Sequence, residues 1–403
     1  MSDLRERDGV DAPRGPARAG LDPGADGVHP GVAPAAVRTE EAGAREPGGR
    51  EGEGRGEPGA MEELLRALTS LAGPTGQEDE VLDWVRREWE GRGELVQTPV
   101  GNLFLRIPGP GPRVLLAAHA DELSLIVRSV TADGFLRVLP GERDQFSFPY
   151  FIGAPLRVLA DSGPLPGVVA ATTGHALTPE QRERTKLSWD DVFVDVGLTA
   201  AECAAQGVRV GTRMVWDPEI RRVGRLLVGK AMDDRLGVAV LVDLARRLSS
   251  ARPRFDVTLA CTVQEEIGML GASSLARGGR EFEVGFVIDN GLAGDIPTTS
   301  AAHVPVKLGL GPALVHRDSS VHYSRRLIAE LRAVAARHEI PVQDAVLYHY
   351  SSDGAHLVRQ GMEALLVAPP IRYSHSPFEA VDVRDVEATA RLFAAYLTEG
   401  GAG

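Results

Sequence analysis

Short apolar runs that end in acidic residues or histidine recur along this chain, and amphipathic helical patterns lie between them. The run RVLLAAHADE is typical of a buried strand that reaches a site, and MEELLRALTSLAG before it is typical of an amphipathic helix. Alternating strands and helices are generally joined into a parallel sheet with helices on both faces. We therefore expect an α/β fold whose core sheet is mostly parallel.

The region from 128 to 225 interrupts this alternation. Its runs are short, alternate between apolar and polar residues, and are broken by Gly and Pro, as in APLRVLADSG and DDVFVDVG. This pattern predicts a small β-barrel inserted into the α/β framework. The expected catalytic domain is thus formed by 61–127 together with 226–401.

The segment 1–60 is rich in Gly, Pro, Ala, Arg and Glu and has few large apolar residues. Such a composition does not bury enough surface to offset the entropy of the chain. Two interpretations stay open. The segment is a disordered N-terminal extension, or the start is mis-assigned and Met61 is the first residue.

Charge and cysteine content narrow the class of protein. The formal net charge of −12 argues against nucleic acid as a partner, because phosphate binding requires a basic face. The two cysteines, Cys203 and Cys261, are far apart, which suits a reducing compartment. No run has the length and hydropathy of a signal or membrane segment. We expect a cytoplasmic protein without a membrane partner.

Residues of the types that bind metals follow the apolar runs. Ligands bind beyond the carboxyl ends of the strands in open α/β sheets, so these positions should converge. They are His119 and Asp121 after RVLLAA, Glu265 and Glu266 after VTLACTVQ, Asp289 after VGFVI, His375 after LLVAPPIRYS, and Asp233 and Asp234 just before a helix.

Each position also has an ordinary structural interpretation. His119 alone would more often be a packed histidine, and one of Asp233 and Asp234 would cap the helix that follows. Asp289 with the Asn-Gly after it would form a turn. These interpretations explain poorly why all the positions fall at matching ends of one predicted sheet.

Imidazole nitrogen and carboxylate oxygen together suit zinc, cobalt or manganese. Alternation along a strand would let Asp121 orient the imidazole of His119. Glu265 and Glu266 are adjacent and point in opposite directions, so one can bind metal while the other acts on the attacking water. Two ions close together need a shared carboxylate, and Asp233 is the candidate.

The motifs AHADE, GKAMDDR, VQEEIGMLGA, VIDNG and RYSHSPFE, in that order, resemble the tetrahedral (TET) glutamyl-aminopeptidase family, metallopeptidase family 42. The similarity extends from Met61 to the end and includes the β-rich insert. It implies a zinc-peptidase-like fold and an aminopeptidase that uses two divalent metal ions, most commonly zinc or cobalt. The loop YSSDGAH, around Asp353, departs from the Gly-Gly-Thr-Asp type usual in the family, which leaves substrate specificity open.

The resemblance also implies a role for each motif. His119, Asp233 and Asp289 would hold one ion, while Asp233, Glu266 and His375 would hold the other. Glu265 would be the general base, and the Asp233–Asp234 peptide bond would be cis. Substrates would be peptides with free N-termini. The insert would mediate contacts of a homo-oligomer, which in many members is a hollow dodecamer.

Two other functions use the same residues. A metal-dependent deacylase or amidase would need the same water and base, and N-acylated substrates would distinguish it from an aminopeptidase. A non-catalytic assembly protein could have kept the fold, although the complete set of ligands and the base argues against it.

Overall fold

A computed structural model describes residues 59–143, 148–183, 186–217, 219–275 and 282–399. The two interpretations of the segment 1–60 concern residues that lie almost entirely outside these ranges. None of the described helices has the length and hydropathy needed to cross a bilayer.

The helices that the sequence patterns predict are present, together with several short ones. In chain order they are α1 (Ala60–Ser70), α2 (Asp79–Trp89), α3 (Phe148–Phe151), α4 (Pro179–Glu183), α5 (Ala200–Ala205), α6 (Met232–Ser250), α7 (Leu270–Ser273), α8 (Arg325–Arg337), α9 (Gly354–Arg359) and α10 (Val383–Glu399), with a 3₁₀ turn at Trp189–Asp191.

The strands form an eight-stranded sheet, two smaller sheets and a closed barrel. In chain order they are β1 (Glu94–Gln97), β2 (Leu103–Ile107), β3 (Arg113–His119), β4 (Leu125–Val130), β5 (Leu136–Pro140), β6 (Pro155–Ala160), β7 (Gly163–Ala171), β8 (Val192–Asp195), β9 (Arg213–Trp216), β10 (Arg221–Val223), β11 (Leu226–Gly229), β12 (Asp256–Thr262), β13 (Val284–Ile288), β14 (Gly291–Leu292), β15 (Ala313–Arg317), β16 (Gln343–Val346), β17 (Glu363–Ala368), β18 (Pro370–Ile371) and β19 (Glu379–Asp382).

The main sheet has the strand order β1-β2-β12-β3-β13-β17-β15-β16. Its centre is parallel, because β3 pairs in parallel with β12 and with β13, and β13 pairs in parallel with β17. Residues of β12 and β13 are buried throughout, as expected for strands covered on both faces. The carboxyl ends of these four strands therefore meet at one edge, and the predicted mostly parallel α/β core is confirmed.

Helices cover both faces of the parallel core. The ring of Phe286 on β13 packs edge-to-face against Phe393 of α10, with ring centroids 5.2 Å apart. A Cβ atom on the preceding Gly285 would lie 2.8 Å from the side chain of Leu357 in α9. Since successive strand residues face opposite sides, α9 and α10 lie on opposite faces. Each fully buried side chain of this kind contributes about 1.5–3 kcal/mol.

The insert is a closed six-stranded barrel with the order β4-β5-β8-β7-β6-β9, which confirms the predicted small barrel. It has its own core, in which the ring of Phe151 stacks on Trp189 and Trp216 at centroid distances of 5.5 and 5.9 Å. The barrel strands run from Leu125 to Trp216. Strands β10 and β11, which follow them, belong instead to a small sheet in which β11 pairs with both β10 and β19. The domain boundaries of the insert stay a prediction.

Candidate metal centre and active site

Six of the sequence-predicted site residues line one cavity of about 650 Å³ at the carboxyl edge of the main sheet. His119 is the last residue of β3, Asp289 follows β13 directly, and the glutamate pair lies a few residues beyond β12. The two remaining residues come from the first turn of α6 and from the turn after β18. The six are His119, Asp233, Glu265, Glu266, Asp289 and His375.

The carboxylate of Asp233 lies between two imidazoles. Its Oδ1 is 3.1 Å from Nε2 of His119, and its Oδ2 is 3.3 Å from Nε2 of His375. Oε2 of Glu266 lies 3.8 Å from the same nitrogen of His375. Each oxygen of Asp233 thus faces a different histidine, as a carboxylate shared between two ions would.

Ligand atoms within 4.8 Å of one another form three groups. Two of these share Asp233 and each contains one histidine: the first adds His119 and Asp289, and the second adds Glu266 and His375. The third joins His119 with Glu265 and Glu266. The two groups that share Asp233 use five ligands for two positions and leave Glu265 without a metal to bind.

The acids of the cavity crowd together away from water. Burial raises the pKa of Asp289 to about 7, and the charge of Asp233 adds to the rise. Burial likewise raises the pKa values of Glu265 and Glu266 well above their ordinary range. A divalent cation would supply the missing positive charge, and this mixture of nitrogen and carboxylate oxygen suits zinc, cobalt or manganese. The residues present therefore fit a metal centre.

Asp233 and Asp234 are adjacent but have different partners. The peptide bond between them is cis, as the resemblance implies, and both residues have non-helical backbone angles inside α6. Asp234 accepts hydrogen bonds from the backbone N–H of His119 at 3.2 Å and of Gly237 at 3.1 Å. The second of these is the capping interaction expected from the sequence, so Asp234 caps the helix while Asp233 faces the cavity.

Asp121 lies behind His119 and outside the cavity lining. Its Oδ1 is 3.4 Å from Nδ1 of His119 and accepts the backbone N–H of Glu265 at 3.0 Å. Its Oδ2 accepts the N–H of Glu266 at 3.1 Å and the hydroxyl of Thr75 at 2.9 Å. Burial alone would raise the pKa of Asp121, but its contacts with His119 and these amides lower it. This places an anion where it would keep Nε2 of His119 turned toward Asp233.

Glu379 is a site residue that the sequence analysis missed. Its Oε1 accepts the backbone N–H of His375 at 2.9 Å, and its Oε2 accepts that of Asp233 at 3.1 Å. Burial, with the charge of Asp233, raises its pKa to about 8. Glu379 thus holds the backbone of both residues that face each other across the second ligand group. The available signal was an acid four residues after His375 in RYSHSPFE.

The rest of the cavity wall contains both polar and apolar groups. Arg143, from the segment after β5, contributes a guanidinium group, while Met269, Leu292 and Tyr350 contribute apolar and aromatic surface. Asp353, in the loop that departs from the family pattern, does not line the cavity. It is buried and accepts a hydrogen bond from the hydroxyl of Thr262 at 2.6 Å.

Left-handed backbone concentrates around this cavity. Non-glycine residues with φ near +60° include Gln264, Met269, His349, Tyr373 and His375, of which three line the cavity and two are neighbours of lining residues. Such angles cost of order 1–3 kcal/mol each and are retained where surrounding contacts fix them, commonly at functional sites.

A second buried charged cluster lies beside the first. Glu122 accepts hydrogen bonds from the ammonium group of Lys230 at 2.7 and 2.8 Å and from the guanidinium group of Arg235 at 3.1 Å. It also accepts the backbone N–H of Gly73 at 3.0 Å. Lys230 donates further to the carbonyl of Leu71 at 2.8 Å. We call Glu122, Lys230 and Arg235 the ion triad; none has more than 1% of its surface exposed.

Comparison of the sequence with known families and proteins identifies similar aminopeptidases. A model of the M42 glutamyl aminopeptidase family matches residues 101–392. The lysyl aminopeptidase of Pyrococcus furiosus is 30% identical over 349 residues, which cover 84% of this chain and 96% of that protein.

Solved structures give the same result. Aminopeptidase APDkam598 from the archaeon Desulfurococcus kamchatkensis has a TM-score of 0.79 at 30% identity, covering 85% of this chain and 95% of its own. The Pyrococcus horikoshii TET1 peptidase, which can assemble into a tetrahedron or a large octahedral shell, has a TM-score of 0.76 at 27% identity. That similarity covers 84% of this chain and 100% of the TET1 chain.

Proposed function

This chain belongs to the M42 glutamyl aminopeptidase family and is a metal-dependent aminopeptidase, and from that premise we propose how its residues share the reaction. The resemblance drawn from the five motifs is thereby confirmed. The proposal is that two divalent ions bind in the cavity, that Asp233 is shared between them, and that Glu265 is the general base.

The position of Asp233 is the observation that carries this proposal. One oxygen of its carboxylate faces His119 and the other faces His375. We assign His119, Asp233 and Asp289 to one ion, and Asp233, Glu266 and His375 to the other. The donor set suits zinc or cobalt, with manganese as a third option.

Bound there, two such ions would polarise the scissile carbonyl and lower the pKa of a water molecule. Glu265 lines the cavity and belongs to neither ligand group that contains Asp233. Its carboxylate takes a proton from the attacking water and delivers it to the nitrogen of the leaving amine. Burial raises the pKa of Glu265 in the metal-free site, and bound cations would lower it again, which suits a group that must both take up and release a proton.

The charges around the cavity also bear on the substrate. Its many acids favour the ammonium group of a free N-terminus, which an N-acylated peptide lacks. The guanidinium group of Arg143 favours a carboxylate elsewhere on the substrate. Aminoacyl anilides with acidic, neutral and basic side chains, compared with their N-acetylated forms, would separate these two contributions.

The test of the base is Glu265→Gln, which keeps the size of the side chain and removes its basicity. We expect turnover to fall about 10²–10⁴-fold because general-base catalysis contributes a factor of that order. Metal analysis should show the same bound metal as in the parent. Glu80→Gln, which changes an exposed glutamate, is the matched control. Turnover close to the parent value in Glu265→Gln would remove Glu265 from this role.

We also propose that the chain forms a homo-oligomer, up to a dodecamer, with contacts through the barrel. The tetrahedral assembly of the Pyrococcus horikoshii relative supports this, as do the exposed apolar side chains of Leu187 and Val210 in the segments that connect the barrel strands. A cytoplasmic location is supported by Cys203 and Cys261, which are both buried and unpaired. Light scattering of the purified protein would give the size of the assembly.

A further inference from the structure

The segment that carries the two functional glutamates has left the sheet. Strand β12 ends at Thr262, and the next four backbone N–H groups donate to side-chain oxygens instead of to a neighbouring strand. The N–H of Val263 donates to Asn102 at 3.2 Å, and the N–H groups of Glu265 and Glu266 donate to Asp121.

The remaining member of this row is Gln264, whose N–H donates to Oε1 of Glu78 at 3.0 Å. Gln264 has a φ of 55°, in the left-handed region that a residue with a side chain rarely adopts. It is also the residue directly before Glu265. If Gln264 relaxed to a negative φ, the chain would rotate at the position that aims the Glu265 carboxylate.

Glu78 is placed to prevent this. It precedes α2 directly, in the position where a side chain commonly caps the helix, yet its side chain makes no capping hydrogen bond. The carboxylate is buried, and its Oε1 also accepts the N–H of Gly76 at 2.7 Å. A carboxylate that is not used by its own helix and is fixed from both sides is typical of a side chain that supports a site.

We propose that Glu78 is a positioning residue for the reaction: by holding the backbone of Gln264, it sets the direction in which Glu265 faces the cavity. The inference rests on the proposed role of Glu265 as the base. Glu78 itself is not among the residues that line the cavity, so we expect it to act through Gln264 and not on the substrate.

The charge of Glu78 matters less than its oxygen. Burial raises the pKa of Glu78 to about 7, and the negative charge of Asp121 adds to the rise. A neutral acceptor of the same shape should therefore serve nearly as well. This distinguishes Glu78→Gln, which keeps an oxygen that accepts both amides, from Glu78→Ala, which has none.

The experiment is a double-mutant cycle between Glu78 and Glu265. In the parent background, we expect Glu78→Ala to lower kcat about 10–100-fold while KM and bound metal hardly change. In the Glu265→Gln background, the same substitution should produce no further loss, because the group it positions has already lost its function. Glu78→Gln should recover most of the turnover lost in Glu78→Ala, and Glu80→Gln is the control for a nearby glutamate.

Hydrogen exchange gives a readout that does not depend on activity. The peptide covering 263–269 should exchange faster in Glu78→Ala than in the parent and in Glu80→Gln. If Glu78→Ala does not fold, the cycle is run with Glu78→Asp, whose side chain is one methylene shorter and should weaken the contact with Gln264.

The two levels of the proposal fail in different ways. An equal fold-loss in both backgrounds, unchanged exchange at 263–269, or loss of bound metal in Glu78→Ala would overturn the positioning role while Glu265 stays the base. Parent-like activity of Glu265→Gln would overturn the base assignment and this inference together.

Discussion

The metal centre and the ion triad are both buried clusters of charge, and two motifs contribute residues to both. AHADE supplies Asp121 to the first cluster and Glu122 to the second. GKAMDDR supplies Asp233 to the first and both Lys230 and Arg235 to the second. Neighbouring residues of each motif thus lie in two different environments: the ion triad has more cations than acids, and the metal centre has more acids than cations.

The difference between the clusters lies in how their charges are balanced. In the ion triad, one carboxylate meets two cations and a backbone amide at hydrogen-bond distance. In the metal centre, burial and mutual repulsion raise the pKa values of Glu265, Glu266 and Asp289. A buried carboxylate paired with two fixed cations serves the fold, whereas a site in which buried acids outnumber the neighbouring imidazoles is suited to a cationic ligand.

The strongest test of this contrast is Asp233→Asn. We expect activity to fall below detection, because both ligand groups lose their shared carboxylate. Metal-free Asp289→Asn, by contrast, should be at least as stable as the metal-free parent, because burial and the charge of Asp233 raise the pKa of Asp289 and so make its charged form unfavourable in the fold. Metal analysis and thermal melts in chelator measure the two effects. A clear loss of stability in metal-free Asp289→Asn would contradict the contrast.

The opposite result is expected from Glu122→Ala. Lys230 and Arg235 would then be buried without their anion, and breaking a buried pair in this way costs about 3–5 kcal/mol of unfolding free energy. Denaturant titration of the metal-free protein measures this loss. Adding Lys230→Met should restore part of the stability, because one uncompensated charge is removed. If the loss appeared in metal content instead of stability, the triad would belong to the site.

The smallest expected effect is the pH dependence of the metal-free protein. Burial raises the pKa of Asp289 from its ordinary 3.8 to about 7 and that of Glu379 from 4.5 to about 8. Between the ordinary and the raised pKa of each group, the folded protein binds more protons than the unfolded chain does. The unfolding free energy therefore falls as pH rises from about 4 to about 8.

The ion triad should respond in another pH range and with the opposite sign. Burial lowers the pKa of Lys230 from 10.5 to about 8, so its contribution is constant below about pH 8 and becomes more favourable above it. The metal-free protein should therefore melt at a higher temperature at about pH 5 than at about pH 7, and added metal should reduce or reverse this order, since its ligands must be deprotonated. A melting temperature that rises with pH in chelator would argue against the assigned shifts.

Much of this could be predicted from the sequence, because the signals were local. The apolar run before His119 predicted β3, and the acids at the ends of similar runs predicted positions that the structure brings to one cavity. Both interpretations of the Asp233–Asp234 pair apply, one to each residue. The cap and the cavity-facing carboxylate could not be told apart from spacing alone.

What the sequence did not predict depends on distant partners. Glu379 and Glu78 act on backbone amides 146 and 186 residues away, of Asp233 and Gln264, which no periodicity indicates. The outer strands β15 and β16 were missed because ALVHR and QDAV mix buried with polar or exposed residues and give weak strand patterns.

The side chains that hold the chain beyond Thr262 have a consequence for how such an enzyme can change over time. Strand β12 is held by hydrogen bonds to its neighbours in the sheet, whereas the segment that carries Glu265 and Glu266 is held by hydrogen bonds to side-chain oxygens. Substitutions that repack the interior of β12 need not redirect Glu265, and changes at Asn102, Glu78 or Asp121 can redirect it without altering the interior. Stability and the geometry around Glu265 are therefore open to selection at different positions, even though these positions are close together in the chain.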